Sequence, residues 1–286
     1  PTETYTLGRS SAASDVYKRQ GYRSREMGEE TMPTTTLDFT GRKALVTGGS
    51  RGIGRAIAIR LAEAGCDVAI NYLRNRKPAA ETAAAVEAIG RRALLFKGNV
   101  ANVESHGALF ERLGDEFGGL DVLVSNAASG VIRPAMDLTH RHWTWTMDIN
   151  AGALLSLAQH AVGLMGDGGG SIVAVSSLGA TRAIPNYAAV GASKAALESL
   201  VRHLAVELAP RGVRVNAISA GVVDTDALKH FPNRDQLLEE SARRTPAGRL
   251  TEPQDVADAV LFLTSSLAAM MIGQTITVDG GYAITA

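Results

Sequence analysis

One octapeptide restricts the fold more than any other stretch of the chain: Thr47-Gly48-Gly49-Ser50-Arg51-Gly52-Ile53-Gly54. It follows a short apolar run, Ala44-Leu45-Val46. It opens a segment with apolar residues at helical spacing, Ile53, Ile57 and Leu61, that runs to Ala64. A strand that passes its chain to a helix within so few residues must turn tightly, and glycine supplies the backbone freedom. The spacing is Gly-x-x-x-Gly-x-Gly, with glycines 48, 52 and 54 marking the turn. Such a turn lets backbone approach a pyrophosphate closely, packs helix against strand, and aims the amino end of the helix at the phosphates. A lone glycine motif is weak, and a purely structural turn is the competing reading. The strand before it and the helix after it favour a dinucleotide site, with Gly48, Ser50, Arg51, Gly52, Ile53 and Gly54 as its residues.

The same rhythm continues along the chain. Residues 68–72, 93–96, 122–124, 172–175, 213–218 and 275–278 read as further strands. Helices are expected over 78–89, 103–117, 139–164, 187–209 and 254–263, between and after them. Strands that are apolar on both faces, with helices in between, mean a parallel sheet covered on each side. The fold class is therefore α/β: one doubly wound Rossmann-type domain over 37–286, with about seven strands. The rhythm fails between 222 and 250, where Phe231-Pro232 and Thr245-Pro246 break any long helix. That stretch follows a strand's carboxyl end, so it reads as a short helical lid over the ligand, with a plain surface insertion as the alternative. Its apolar residues Val222, Val223, Leu228 and Phe231 point to a greasy tunnel. Residues 1–36 form no apolar or helical pattern and read as a disordered or non-native leader. Native translation is expected to start at Met32 or Met27.

Composition narrows the partners. Of 286 residues, 45% are apolar and 20% charged, enough for one large core. Basic and acidic side chains number 29 each, so no broad positive field is expected to recruit nucleic acid or anionic membrane. No apolar run approaches the ~20 residues needed to span a bilayer. Cys66 is the sole cysteine, which excludes an intramolecular disulfide and favours a cytoplasmic setting. It follows Gly65 at a helix–strand turn and reads as a small buried filler. The six histidines include no His-x-x-x-His pair, and no metal site is expected.

The second strand chooses the cofactor. NAD-binding sheets usually end that strand in a carboxylate, about 20 residues past the glycine turn, which holds the ribose 2′-hydroxyl. Here the run is Asn71-Tyr72-Leu73-Arg74-Asn75-Arg76. No carboxylate stands there to repel a 2′-phosphate, and Arg51 and Arg74 can bind one by charge-assisted hydrogen bonds. The expected cofactor is NADPH.

Far downstream, Tyr187 and Lys194 lie in Asn186-Tyr187-Ala188-Ala189-Val190-Gly191-Ala192-Ser193-Lys194. Seven residues is about two helical turns, so both share one face. With the glycine turn, they make residues 37 to the C-terminus resemble the short-chain dehydrogenase/reductase superfamily, and within it the enoyl-acyl-carrier-protein reductases. The superfamily's carbonyl reductases carry Tyr-x-x-x-Lys. Counting back four from Lys194 gives Val190, which cannot act as an acid. The Tyr-x6-Lys spacing here sets the phenol back by three residues, ~4.5 Å at ~1.5 Å per residue. In conjugate reduction of an enoyl thioester, hydride enters two bonds beyond the carbonyl carbon. The oxygen to be stabilised then lies farther from the nicotinamide, and the displaced phenol suits it. Residues 126–131, 187–196 and 224–234 are especially similar to the NADPH-dependent type III enoyl-acyl-carrier-protein reductases.

The resemblance implies roles. Hydride passes to C3 of a trans-2-enoyl chain, Tyr187 stabilises the thioester oxygen, and C2 takes its proton from tyrosine or water. Lys194 holds the ribose hydroxyls, and its cationic charge lowers the tyrosine pKa. Ser177 supports the substrate carbonyl, with Ser176 as the competing candidate, since alternation turns only one of them toward the cleft. Asn150 matches the asparagine that kinks the long helix and holds a water in a proton relay, with plain helix polarity as the alternative. Asn99 and Val100 follow the third strand, where the superfamily contacts adenine. Ser125-Asn126-Ala127-Ala128 resembles the Asn-Asn-Ala-Gly motif, and Asn126 and Ala127 carry over. Ala220-Gly221 resembles the Pro-Gly pair near the nicotinamide, and alanine in place of proline leaves that loop less fixed. Gly221 and Val223, with Tyr187 and Lys194, complete the expected cofactor set. Also implied are an acyl carrier protein bearing the enoyl chain, bacterial type II fatty acid synthesis, and a homotetramer with the two long helices at a dimer interface.

Two other functions compete. A 3-oxoacyl-thioester or other carbonyl or alcohol oxidoreductase is opposed by Val190 in the usual tyrosine place. A catalytically silent NADP-binding protein is opposed by the presence of Tyr187, Lys194, Ser177 and Asn150 together.

Overall fold

The computed structural model describes residues 37–225 and 234–285. The expected leader, 1–36, lies outside the described residues, as do Leu228 and Phe231 of the expected lid. The described residues fall in one unit, Leu37–Ala286.

Its strands are β1 (Lys43–Val46), β2 (Asp67–Tyr72), β3 (Ala93–Lys97), β4 (Val122–Ser125), β5 (Gly170–Ser177), β6 (Val213–Ala220) and β7 (Thr275–Val278). They form one sheet in the order β3-β2-β1-β4-β5-β6-β7, and every pairing is parallel. The helices are α1 (Gly52–Glu63), α2 (Arg76–Ala88), α3 (His106–Phe117), α4 (His140–Met147), α5 (Ala153–Met165), α6 (Ala188–Leu208), α7 (Arg234–Arg244) and α8 (Pro253–Thr264). The α/β reading therefore holds.

Alternation along the strands builds two cores. Leu45, Ala69, Leu123, Ile172 and Ala217 face one side, packed with residues of α3, α5 and α6. Ala44, Val46, Ile70, Val124 and Val173 face the other, packed with residues of α1, α2 and α8. Burial on both faces is what the uninterrupted apolar strands require. Cys66 belongs to the second core, and burial pushes its thiol up to about 12, as suits an inert filler.

The chain steps outward from β1 through β2 to β3, then returns to the other side of β1 as β4. Ligands of such sheets bind outside the carboxyl ends of the strands at this reversal. The carboxyl ends of β1 and β4 are neighbours, with Val46 paired to Val124.

The single long helix expected over 139–164 is instead two. A π-helical turn, Asp148–Gly152, separates α4 from α5. The reason is tertiary: the Asn150 side chain is drawn into the protein by partners outside its own helix, described below. Residues 222–250 contain α7, whose Arg234 pairs with Asp224 and Asp235.

Leu123 is fully buried on a central strand. Leu123→Ala should cost about 2–5 kcal/mol, read as a lowered urea midpoint with an unchanged slope. Loss below 1 kcal/mol would mean that the core there collapses around the deletion, on the same principle.

Candidate active site

The site is built on the ends of β1 and β4. Thr47 directly follows β1, with its hydroxyl at the centre of a joint. It accepts from the Asn126 and Ala127 N–H groups, each at 3.0 Å, and reaches the Val124 carbonyl at 3.3 Å. The Asn126 side-chain amide donates back to the Thr47 and Gly48 carbonyls at 2.9 and 3.2 Å. Asn126 and Ala127 thus hold the glycine turn in place.

That turn has the shape a dinucleotide needs. Gly48 and Gly52 have φ of +62° and +53°, which side chains disfavour. A Cβ on Gly54 would collide with the Gly48 carbonyl oxygen and stand 2.5 Å from the Asn126 amide nitrogen. Ile53 lies in the first turn of α1, and Arg51 stands at its N-cap without a side-chain cap bond. The uncapped N–H groups of α1 are the donors a pyrophosphate uses. The Ser50 carbonyl accepts the Thr82 hydroxyl from α2. These residues fit a nicotinamide dinucleotide.

Beyond β2, Arg74 lines a recess of about 790 Å³ with Arg76, Lys97, Arg112 and one acid, Glu87. Asn99 follows β3 and folds its side chain onto the Ala101 N–H at 3.1 Å, and Val100 beside it is buried. Gly221 donates to the Val278 carbonyl at 2.9 Å, and a Cβ there would stand 2.8 Å from Asp279 and Thr251 side-chain atoms. Val223 bridges to Thr251 as an isolated parallel pair. The first residues after Ala220 are thus tied to β7 through Gly221 and to Thr251 through Val223.

The second half of the site joins β5 to α6. Tyr187 stands at the N-cap of α6, directly after Asn186, whose φ of 63° is the only positive value at a non-glycine among the described residues. The Tyr187 hydroxyl lies 3.3 Å from the Ser177 hydroxyl at the end of β5. Its ring packs close to Gly179, where an added Cβ would collide with the Tyr187 Cε1 and Cδ1 atoms. Ser176 points the other way and donates to Glu198 at 2.5 Å. Alternation therefore brings Ser177, not Ser176, to the phenol.

Lys194 is 5% exposed, and its amine donates to the Val175 carbonyl at 2.7 Å. Burial brings its pKa down to about 8, with Glu198 opposing. Asn150 accepts from the Ser129 N–H and donates to the Ser193 hydroxyl, both at 2.9 Å. Ser193 in turn donates to the Val190 carbonyl. Val190 is 7% exposed, and its side chain sits against Gly130.

One expectation needs correction. The Tyr187 phenol is raised above its ordinary pKa, not lowered, because burial outweighs the help of the Ser177 hydrogen bond. The sequence reading also missed Thr47, Asn71 and Gly179. Asn71 is buried at the end of β2 and donates to the Gly98 carbonyl at 3.1 Å, tying β3 to the turn. A threonine ending an apolar strand just before the glycines was a readable signal for Thr47. Nothing in the sequence marked Gly179 as the seat of a ring.

Among the described residues, no group of three or more His, Cys, Asp or Glu can hold a metal ion. No described helix is long and apolar enough to cross a membrane.

A parallel sheet reversing at β1 and β4, a glycine turn at that reversal, and a tyrosine, lysine and serine gathered at the end of β5 define a class of nucleotide-dependent oxidoreductases. Residues 48–283 match the family model described as Enoyl-(Acyl carrier protein) reductase, and the chain belongs to that family of the short-chain dehydrogenase/reductase superfamily. It is 42% identical to the 1-cyclohexenylcarbonyl-CoA reductase of Streptomyces collinus, over 85% of this chain and 87% of that protein. It is 37% identical to an L-rhamnose 1-dehydrogenase (NAD(P)(+)) of a Sphingomonas species, over 84% and 96%. The structure is similar to the enoyl-acyl carrier protein reductase of Bacillus cereus solved with NADP+ and an indole naphthyridinone, with a TM-score of 0.81 and 32% identity, over 86% and 98%.

Because the Ser177 hydroxyl steadies the phenolate form, Ser177→Ala should raise the Tyr187 pKa further. Ultraviolet difference titration against Tyr187→Phe protein reads that one tyrosine. A midpoint that stays put or falls would contradict the pairing.

Proposed function

We propose that the protein is an NADPH-dependent enoyl-thioester reductase that reduces the trans-2 double bond of acyl chains borne on acyl carrier protein. One observation carries the reading. The phenol paired with Ser177 is Tyr187, while position 190, where a carbonyl reductase keeps its acid, holds a valine packed on Gly130. NADPH, when bound, supplies the hydride. Gly48, Ser50, Gly52, Ile53, Gly54, Asn99, Val100, Asn126, Ala127, Gly221 and Val223 would hold it, with Arg51 and Arg74 toward its 2′-phosphate. The basic recess around Arg74 supports the phosphorylated cofactor.

Tyr187 donates a hydrogen bond to the thioester oxygen as negative charge grows there. Burial holds the phenol in its protonated form at neutral pH, the state a donor needs. Ser177 steadies the phenol and shares the same oxygen. Lys194 supplies a positive charge behind the phenol and holds the cofactor's ribose. Asn150 fixes the Ser129 loop against α6 and, in the π turn, holds a water of the proton relay. The described part of the expected lid, 222–225 and 234–250 with α7, follows the carboxyl end of β6, on the side where the acyl chain would lie.

A thioester substrate draws support from the family's description and from the Streptomyces relative, whose name carries coenzyme A in place of the carrier protein. A cleft of about 320 Å³ beside Tyr187, lined by Ala183, Ile184 and Arg182, offers apolar walls and one cation for such a chain. The reading places the protein in bacterial type II fatty acid synthesis, in the cytoplasm, as a homotetramer, for which light scattering gives the mass. The sugar dehydrogenase among the relatives favours a second reading, carbonyl or alcohol chemistry.

One assay separates the two. Purified protein and NADPH receive crotonyl or acetoacetyl thioester, on carrier protein and on coenzyme A. NADPH oxidation with crotonyl thioester alone is expected, and oxidation with acetoacetyl thioester alone would sink the proposal. Tyr187→Phe should lower kcat by about 100-fold or more with NADPH affinity retained. Near-normal turnover would remove Tyr187 from the chemistry. Arg74→Ala should raise the KM for NADPH roughly tenfold and leave that for NADH alone. Equal effects on both cofactors would place Arg74 away from the 2′-phosphate.

A further inference from the structure

Three consecutive residues at the carboxyl end of β5 each meet a polar group of the α6 segment. The Val175 carbonyl takes the Lys194 amine, the Ser176 hydroxyl meets Glu198, and the Ser177 hydroxyl meets Tyr187. Glu198 is the member that the proposed reaction does not use. It lies four residues after Lys194, so both project from one face of α6, and both are buried there, at 7% and 5% exposure. A buried carboxylate is costly unless something compensates it. Here the Ser176 hydroxyl holds one oxygen. Along the helix face Lys194 stands four residues before Glu198, buried with it, and Arg202 four residues after, exposed.

We infer that Glu198, braced by Ser176, is a positioning residue for Lys194: its negative charge, fixed one turn along α6, keeps the buried amine cationic and aimed at the end of β5. The inference rests on the reading that Lys194 serves the site, but it can be tested on the amine itself.

Burial works against the lysine's charge, and Glu198 is the influence that opposes it. Other charged or titratable groups on and around α6 are few. On α6 or at its N-cap they are Tyr187, Arg202, His203 and Glu207. The π turn brings Asp148, α4 brings His140, Arg141 and His142, and the turn after α6 brings Arg211. On β6, Arg214 is committed to the carbonyls that end α8. β5 and the turn at Leu178–Ala180 bring none. Of all these, Glu198 is the one whose charge reaches the amine.

The test is titration of the Lys194 amine by ¹³Cε-lysine NMR in cofactor-free protein, with Lys194→Arg giving the assignment. Glu198→Gln keeps the shape and removes the charge. The proton affinity of Lys194 should fall about tenfold. In active enzyme the alkaline limb of kcat/KM should move to lower pH by the same amount. A merely structural Glu198 would lower Tm and leave the Lys194 midpoint in place, and that result overturns the inference. If Glu198→Gln does not fold, the paired change Ser176→Ala with Glu198→Met leaves no orphaned donor and should show the same fall. An unmoved or raised midpoint in whichever variant folds is decisive against it. Absence of enoyl reduction would instead strike the proposed function, and the NMR titration would still stand.

Discussion

The joint between β1 and β4 is the constraint on which the rest depends. A parallel sheet that reverses direction leaves a crevice there, and backbone groups at its lip must find partners or water. Thr47 and Asn126 resolve this with side chains, each closing on the other's backbone. With the lip fixed, the glycine turn has one course to follow and α1 has one direction to point. The carboxyl ends of β5 and β6 are then set by register from β4 outward. A looser joint would blur the cofactor's seat and, through it, the distance to Tyr187.

The end of β5 carries the second half of the chemistry by the pleat of a strand. Successive side chains point to opposite faces, so Ser176 goes to the core and Ser177 to the cleft. One strand end thereby serves an inner carboxylate and an outer phenol without the two meeting. Burial of the phenol and of the lysine has opposite consequences for their charge: it keeps the phenol neutral and presses the amine to become so.

Much of this was legible in the sequence because it is written in local pattern. Ala44-Leu45-Val46, Val122-Leu123-Val124 and Ile172-Val173 are apolar on both faces, which only a covered parallel sheet explains. The glycine turn and Tyr187 with Lys194 are likewise short-range signals. What escaped depends on distant neighbours. The resemblance already set a kink of the long helix at Asn150; its form, a π turn held by Ser129 and Ser193, 21 and 43 residues away, is what helical periodicity does not register. The direction of the tyrosine shift depends on how deeply the ring is covered, and the pinning of Gly221 on a strand near the C-terminus. The choice between Ser176 and Ser177 was framed correctly by alternation, but only the positions of Glu198 and Tyr187 decide it.

Gly179 has a consequence for how such proteins diversify. The Tyr187 ring packs so close to its α-carbon that even one methyl group there would collide with the ring and displace it. Residues 179 and 187 are therefore free to vary only in concert: a descendant that acquired alanine at the first would need a different aromatic placement at the second. The reach of the phenol into the cleft is set by an atom that the chain leaves out.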